Sequence, residues 1–185
     1  MEKVVISVLG TDRPGIVAAV SGILHRLQCN VEDVSQSILQ GEFAAIFIAL
    51  VPQGSTPEQI RQHLREELAP MGLQVLLKAF RPGSRDQAPP AGAEPFVVVT
   101  SGPDRLGLVA GITEVMARFN VNITHLKAAF RGGEDPQQNT MIYEVDVPPF
   151  IDRAAFRHAL KKRARELGLL LSLQHRDIFE AINRI

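Results

Sequence analysis

A short polar turn between an apolar run and an apolar helix occurs twice in this chain, and no other feature constrains the fold as much. The first copy, Gly10-Thr-Asp-Arg-Pro-Gly15-Ile-Val-Ala18, follows the apolar run Val4–Leu9. The second, Pro103-Asp-Arg-Leu-Gly107-Leu-Val-Ala110, lies 92 residues further on and follows Phe96–Thr100. Because the turn recurs in the same local context, the sequence predicts two copies of one small unit rather than a single large core.

Each copy is predicted to contain six elements in the order β-α-β-β-α-β. In the first copy, apolar patterning predicts four strands, the first buried on both faces and the second exposed on one face, at Val4–Leu9, Val31–Leu39, Phe43–Val51 and Leu73–Phe80. A helical period from Ile16 to Leu27 and the start signal Thr56-Pro57-Glu58 predict the two helices. With right-handed crossovers, this order favours α+β ferredoxin-like sandwiches, each with an antiparallel four-stranded sheet.

The repeat also predicts the domain boundaries. Residues 82–95 are rich in proline and glycine and are interpreted as a linker between one domain at residues 1–81 and another at residues 96–176. The offset between the copies rises from 92 to 96 after the hairpin, which predicts four extra residues within Gly132–Asn139. The tail at residues 177–185 has no counterpart in the first copy, and either a short helix or an edge segment on the sheet is expected there.

The charge balance argues against several classes of partner. Twenty acidic and twenty basic residues cancel, so no global field favours nucleic acid or an anionic membrane. Aromatic residues make up 5 % of the chain, too few for the base stacking of RNA-binding domains of this fold, and the basic run Arg157–Arg165 is interpreted as the solvated face of a helix. The longest apolar stretch is far below the ~20 residues of a bilayer span. We expect a soluble, cytoplasmic protein that binds neither nucleic acid nor a membrane directly.

The repeated turn offers a place to bind a small anion. The first N–H groups of a helix have no partner within the helix, and a glycine lets a carboxylate approach the backbone. Asn30 and Asn122, at the start of the second strand of each copy, offer donors and acceptors to an amino or carboxylate group. Within one copy the asparagine lies roughly 20 Å, about a helix length, from its own turn. A complete site is therefore predicted to need two domains, with the asparagine of one facing the turn of the other.

Local structural roles for the same residues are alternatives. The two glycines could serve close packing only, the two arginines could form surface ion pairs, and the two asparagines could end a helix in the left-handed conformation. Thr11 or Asp12 could cap the first helix, and Pro14 would suit its first turn.

These motifs resemble the ACT domain, a regulatory module that typically binds amino acids at domain interfaces. The resemblance covers both copies, and its turn and facing asparagine correspond to Asp12, Arg13, Pro14, Gly15, Ile16, Val17 and Asn30, and to Asp104, Arg105, Gly107, Leu108, Val109 and Asn122. The second copy departs from the family pattern by having Leu106 where proline is favoured. Two such domains without a catalytic domain are similar to the glycine cleavage system transcriptional repressor family.

The resemblance implies a non-catalytic regulator that binds an amino acid or similar metabolite, forms a homodimer and signals through a regulatory protein partner, with indirect control of transcription in amino-acid metabolism. The alternative is a constitutive interaction scaffold with degenerate sites. No enzyme activity, cofactor or metal is expected, because the five histidines are scattered singly and no phosphate loop, nucleophile elbow or dinucleotide fingerprint occurs. The single cysteine, Cys29, is interpreted as a small buried side chain.

Overall fold

The computed structural model describes residues 2–81, 91–129 and 139–183. The chain divides into two compact units, Met1–Gly83 and Ser84–Ile185, which we call unit 1 and unit 2. Most of the predicted linker and nearly all of the segment that carries the four extra residues lie outside the described residues.

Unit 1 has the predicted order of elements. Its elements are β1 (Glu2–Thr11), α1 (Ile16–Arg26), β2 (Asn30–Leu39), β3 (Glu42–Val51), α2 (Pro57–Leu68), a short 3-10 turn (Ala69–Met71) and β4 (Gln74–Ala79). The strands form one sheet in the order β2-β3-β1-β4, and every neighbouring pair is antiparallel. The two helices pack on one face of this sheet.

Unit 2 repeats this arrangement and adds a terminal helix. Its elements are β5 (Glu94–Gly102), α3 (Leu108–Arg118), β6 (Asn122–Ala129), β7 (Asn139–Val147), α4 (Arg153–Glu166), β8 (Leu170–His175) and α5 (Arg176–Asn183). The sheet order is β6-β7-β5-β8, again antiparallel throughout. The predicted α+β ferredoxin-like fold is therefore confirmed, and of the two alternatives for the tail the helix is the one observed.

Two expectations about strand burial are wrong. β1 buries Val4, Ile6 and Val8 on one face only, whereas Leu9 is 49 % exposed on the other, because both helices lie on the same side of the sheet. β2 is exposed on both faces along almost its whole length, with only Val31 half-buried, since it is the edge strand and the helices cover the centre of the sheet.

The second helix begins where the sequence predicts. Thr56 caps α2 through its side chain, which accepts from the backbone N–H of Gln59, and the Gln59 side chain in turn accepts from the backbone N–H of Thr56. This capping box satisfies donors that a helix start leaves unpaired. Ile60, Leu64 and Leu68 form the buried stripe that packs against the sheet, as expected.

A close backbone approach joins β1 to the turn before β4. A Cβ added to Gly10 would stand 3.0 Å from the carbonyl oxygen of Gly72 and 2.8 Å from Cδ2 of Leu73. In unit 2 a Cβ added to the equivalent Gly102 would stand 2.9 Å from the carbonyl oxygen of Gly168. These distances are too short for a side chain, so the glycine at or next to the end of the first strand of each unit is required by packing.

Candidate functional site

The turn between β1 and α1 leaves the start of the helix without a side-chain cap. Gly15 occupies the cap position in the left-handed conformation, with φ of 96°, and no side chain accepts a hydrogen bond from the helix start. Asp12 instead donates its backbone N–H to the carbonyl oxygen of Gly41 at 2.7 Å. The alternative that Thr11 or Asp12 caps α1 is therefore wrong, and Pro14 lies before the helix rather than in its first turn, because the glycine postpones the helix start to Ile16.

The same geometry recurs in unit 2. Gly107 takes φ of 84° at the start of α3, again without a side-chain cap. Leu106, which replaces the proline of the first turn, is fully exposed. The guanidinium of Arg105 lies over the turn before β8, with Nη1 3.4 Å from the place where a Cβ on Gly168 would stand. The residue before the glycine therefore differs between the two turns, whereas the left-handed backbone conformation of the glycine is the same.

Both turns present unpaired donors beside open space. The first hydrogen bonds at the helix starts run from Ala19 N–H to the Gly15 carbonyl at 2.9 Å and from Gly111 N–H to the Gly107 carbonyl at 2.8 Å. The three N–H groups before each of these donors therefore have no acceptor within their helix. A Cβ added to either left-handed glycine would meet nothing within 4 Å. Such a helix start can accept a carboxylate through hydrogen bonds and the helix dipole.

The residues singled out from the sequence divide by burial. Ile16 and Leu108 are each 2 % exposed, so their side chains belong to the core and only their backbone N–H groups face the turn. Val109 is half-buried. The others are exposed: Asp12, Arg13, Pro14, Gly15, Val17, Asn30, Asp104, Arg105, Gly107 and Asn122. Within the described parts of the chain, neither arginine of the two turns forms an ion pair, so the surface ion pairs considered from the sequence are not observed.

The structure keeps each asparagine away from its own turn. Asn30 begins β2 opposite Leu50, near one end of β3, whereas β1 leads into the turn beside Glu42 at the other end. At about 3.3 Å per residue these ends are roughly 25 Å apart. The left-handed residues that follow the two helices are Gln28 and Asn120, so the alternative that Asn30 and Asn122 adopt that conformation is wrong.

Unit 2 contains buried polar residues that the sequence reasoning missed. Asn139 is 3 % exposed, and neither its amide nitrogen nor its amide oxygen has a hydrogen-bond partner in the part of the chain that the structure describes. Tyr143 is fully buried and donates to Sδ of Met141 at 3.3 Å. Burial raises the pKa of Tyr143 to about 12. Thr100 is also fully buried, and its hydroxyl has no hydrogen-bond partner among the described residues. With the offsets between copies, the equivalent residues in unit 1 are the apolar Phe43, Phe47 and Val8, so aligning the copies would have revealed these three substitutions.

Replacing Asn139 with leucine is expected to raise the free energy of unfolding of unit 2 by about 1–2 kcal/mol, because the substitution removes an amide buried without a partner. Urea unfolding followed by tyrosine fluorescence measures this directly, since Tyr143 is the only tyrosine and the chain has no tryptophan. The exposed Asn122→Leu is the control and should change stability by less than about 0.5 kcal/mol. A loss of stability in Asn139→Leu would show that the amide is satisfied in solution.

The described residues form neither a metal-binding cluster nor a helix suited to span a membrane. Residues 2–81, 91–129 and 139–183 contain no group of three or more histidine, cysteine, aspartate or glutamate side chains placed to hold a metal ion. Among the helices that the structure describes, none has the length and apolar character needed to cross a bilayer.

Comparisons with known proteins agree on one type of domain. Residues 2–78 match the family model of the ACT domain. A UPF0237 protein of Methanosarcina acetivorans is 38 % identical over 91 residues, which cover 49 % of this chain and 95 % of the relative. A UPF0237 protein of Methanococcus maripaludis is 44 % identical over 93 residues, covering 50 % of this chain and 99 % of the relative.

Solved structures extend the likeness to both units. The crystal structure of an unknown protein from Galdieria sulphuraria superimposes with a TM-score of 0.74 at 26 % identity, covering 94 % of this chain and 98 % of that one. A candidate glycine cleavage system transcriptional repressor superimposes with a TM-score of 0.64 at 22 % identity, covering 94 % of this chain and 96 % of that one. At this identity the second likeness concerns the fold alone.

Proposed function

The chain belongs to the ACT-domain family, and from this premise we propose that it is a non-catalytic regulator whose ACT domains bind an amino acid or similar small metabolite. The turn of one domain binds the ligand carboxylate through the N–H groups at the start of α1 or α3. Asn30 or Asn122 of a second ACT domain binds the remaining polar group of the ligand. The bound ligand favours one arrangement of domains over another and so changes the contact with a regulatory protein partner.

One observation carries this proposal. α1 and α3 each begin at a left-handed glycine with no side-chain cap among the described residues and with open space in front of the glycine. A glycine needed only for packing would have neighbours close to its missing Cβ, as Gly10 has. The separation of each asparagine from its own turn supports the need for a second domain.

A likeness in fold also suggests a regulatory context. The fold shared with a candidate glycine cleavage system transcriptional repressor supports indirect control of transcription in amino-acid metabolism as the process that the ligand regulates. We propose that this control runs through protein contacts, since the equal numbers of acidic and basic residues offer no general attraction for nucleic acid.

The amino-acid site is tested by thermal unfolding in the presence of each of the twenty amino acids. A ligand at about 100 times its Kd should stabilise the domain by about 2.7 kcal/mol, which is roughly 10 °C or more in Tm for units of this size. Calorimetric titration then gives the Kd. If none of the twenty shifts the Tm of the folded protein, an amino acid is not the ligand.

A matched pair of glycine variants separates binding from folding. Gly15 and Gly54 have similar left-handed conformations, with φ of 96° and 92°, and a Cβ meets nothing near either. Leucine at either position should therefore lower stability by about 1–2 kcal/mol. Only the leucine side chain at position 15 would stand in front of the N–H groups of α1. Gly15→Leu alone should therefore weaken ligand binding, by at least about tenfold. Equal ligand binding by both variants would favour the constitutive scaffold, in which the turn has no ligand.

A further inference from the structure

The face of the unit 1 sheet that lies opposite the helices is largely apolar and exposed. Lys3 of β1 is the charged residue at one end of its centre, where its Nζ lies 2.7 Å from Oε2 of Glu32. Along β1 and β3 the buried residues alternate with residues that point to this second face. Three of its large side chains, Leu9, Ile46 and Leu76, are 49 %, 51 % and 64 % exposed. Small residues lie between these side chains and, together with Leu9 and Ile46, line a concavity of about 390 Å³. They are Ser7, Ser35, Ser37 and Ala44. We call this surface the open face.

Residues paired directly across neighbouring strands point to the same face, so the strand register arranges the open face in rows. The first row reads Asp33, Ile48, Val5, Lys78 from β2 to β4. An acid therefore stands at one edge of the sheet and a base at the other, with two apolar residues between them. Asp33 and Lys78 are both exposed, and neither forms an ion pair within the described part of the chain.

The next two rows contain no charge. The second row reads Ser35, Ile46, Ser7, Leu76, and in the third row Ala44 and Leu9 are the two central residues. Each central pair combines one large and one small side chain. The order is reversed between the rows, since the large residue is on β3 in the second row and on β1 in the third.

Unit 2 does not repeat this surface. Its corresponding face carries α5, which follows β8 directly, and Arg176 of α5 places Nε 3.7 Å from Oε2 of Glu144 on β7. Val97 points to this face and is nevertheless only 1 % exposed, because α5 packs against β5 and β8. Polar groups line the concavity beside Arg176, among them His125 and Asp146. The two units therefore differ in what covers this face of the sheet.

We propose that the open face of unit 1 is a homodimer interface, in which it packs against the open face of a second copy about a two-fold axis parallel to the strands. This operation places the β2 edge of one copy over the β4 edge of the other, so each row meets itself reversed. Asp33 of each copy then faces Lys78 of the other, and Ile48 faces Val5. Face-to-face sheets keep their strand directions within about 30° of each other, which this axis satisfies.

The same axis matches the sizes of the central side chains. Ile46 of one copy meets Ser7 of the other, and Leu9 meets Ala44, so each large residue is opposite a small one. Packing of large against small is what two flat sheet faces need in order to interdigitate. A two-fold axis perpendicular to the strands would instead keep Lys78 over the β4 strand of the other copy, away from its Asp33. The order of charges in the first row thus favours the parallel axis.

The size of the open face sets the expected strength. Four strands about 4.8 Å apart and eight residues of about 3.3 Å each cover roughly 500 Å² per copy, or about 1,000 Å² for the pair. This is near the lower limit for a specific interface, so we expect a dimer that dissociates in the micromolar range. The interface is separate from the turns of the proposed ligand sites, because those turns are not part of the three rows.

Sedimentation velocity of the full chain between about 1 and 200 µM tests the dimer. The wild-type protein should change from monomer to dimer over this range. Ile46→Lys should remain monomeric at every concentration, because a dimer of this variant would bury one uncompensated lysine charge from each copy. Ile142→Lys is the matched control, since Ile142 is the equivalent residue in unit 2, and it should dimerise like the wild type. Circular dichroism confirms that both variants are folded.

Charge reversal tests the axis. Asp33→Lys and Lys78→Asp should each weaken the dimer by about fivefold or more, since each places like charges opposite one another. The double variant should recover the wild-type dissociation constant within about twofold. The proposal is overturned by a wild-type protein that stays monomeric to 200 µM, by a dimer that tolerates Ile46→Lys, or by a double variant no better than the single ones. No free amino acid is added in these measurements, so their outcome is independent of the proposed ligand.

Discussion

Replacing Gly10 with valine is expected to lower the free energy of unfolding of unit 1 by about 3 kcal/mol. The new Cβ would stand 3.0 Å from the Gly72 carbonyl oxygen and 2.8 Å from Cδ2 of Leu73. The leucine side chain can rotate away, whereas the carbonyl is fixed by the turn that leads into β4. The pairing of β1 with β4 therefore has to shift, and the core side chains on β1 shift with it.

Cys29 provides the measurement, because it is the only cysteine and is 7 % exposed in unit 1. Burial raises the pKa of its thiol, which further slows its reaction in the folded state. A loss of about 3 kcal/mol should speed labelling by a thiol reagent roughly a hundredfold, since labelling requires opening of the unit. Gly22→Ala is the control, because its Cβ has only one neighbour, at 3.9 Å, and should stabilise α1 slightly. An unchanged labelling rate in Gly10→Val would mean that the close approach is absent in solution.

Raising the pH from about 10 to about 12 is expected to destabilise unit 2 by about 2 kcal/mol through Tyr143 alone. Burial of the hydroxyl raises the pKa of Tyr143 from its ordinary 10.0 to about 12 in the folded unit. Below pH 10 both the folded and the unfolded states keep the proton, so the contribution of Tyr143 is constant. Between the two pKa values the unfolded state loses the proton first, and the free energy of unfolding falls as the pH rises.

The difference between the wild type and Tyr143→Phe isolates this effect from the titration of lysines. Urea unfolding at pH 9 and at pH 11.5, followed by circular dichroism, should show a drop in stability about 2 kcal/mol larger in the wild type. Tyrosinate absorbance of the folded protein reports the same group directly, because the chain has one tyrosine. Titration of the native protein with a midpoint near pH 10 would contradict the burial of the hydroxyl.

The repeat made the fold predictable because the information needed is local. The start signal Thr56-Pro57-Glu58 lies at the beginning of α2, and the apolar run Phe43–Val51 forms most of β3. A helix start or a strand face depends on residues a few positions apart, so one sequence is enough to identify it.

Burial and capping were less predictable because they depend on distant neighbours. The alternation along β2 looks like a strand with one buried face, yet no helix covers this edge of the sheet, and only the arrangement of the whole unit decides that. The predicted cap of α1 was wrong for a different reason. Asp12 is a good capping residue by type, but Gly15 postpones the helix and the Asp12 backbone is bound to Gly41.

The two units share the backbone conformation of the turn, although the side chains around it differ. Gly15 and Gly107 hold φ of 96° and 84°, although Pro14 has become Leu106 and the apolar Phe43 corresponds to Asn139. The likeness of the two units is therefore closer in two torsion angles than in the chemistry of the residues beside them. Further copies of such a unit are best recognised by the spacing of their glycines, since a left-handed glycine is harder to replace during divergence than any side chain that surrounds it.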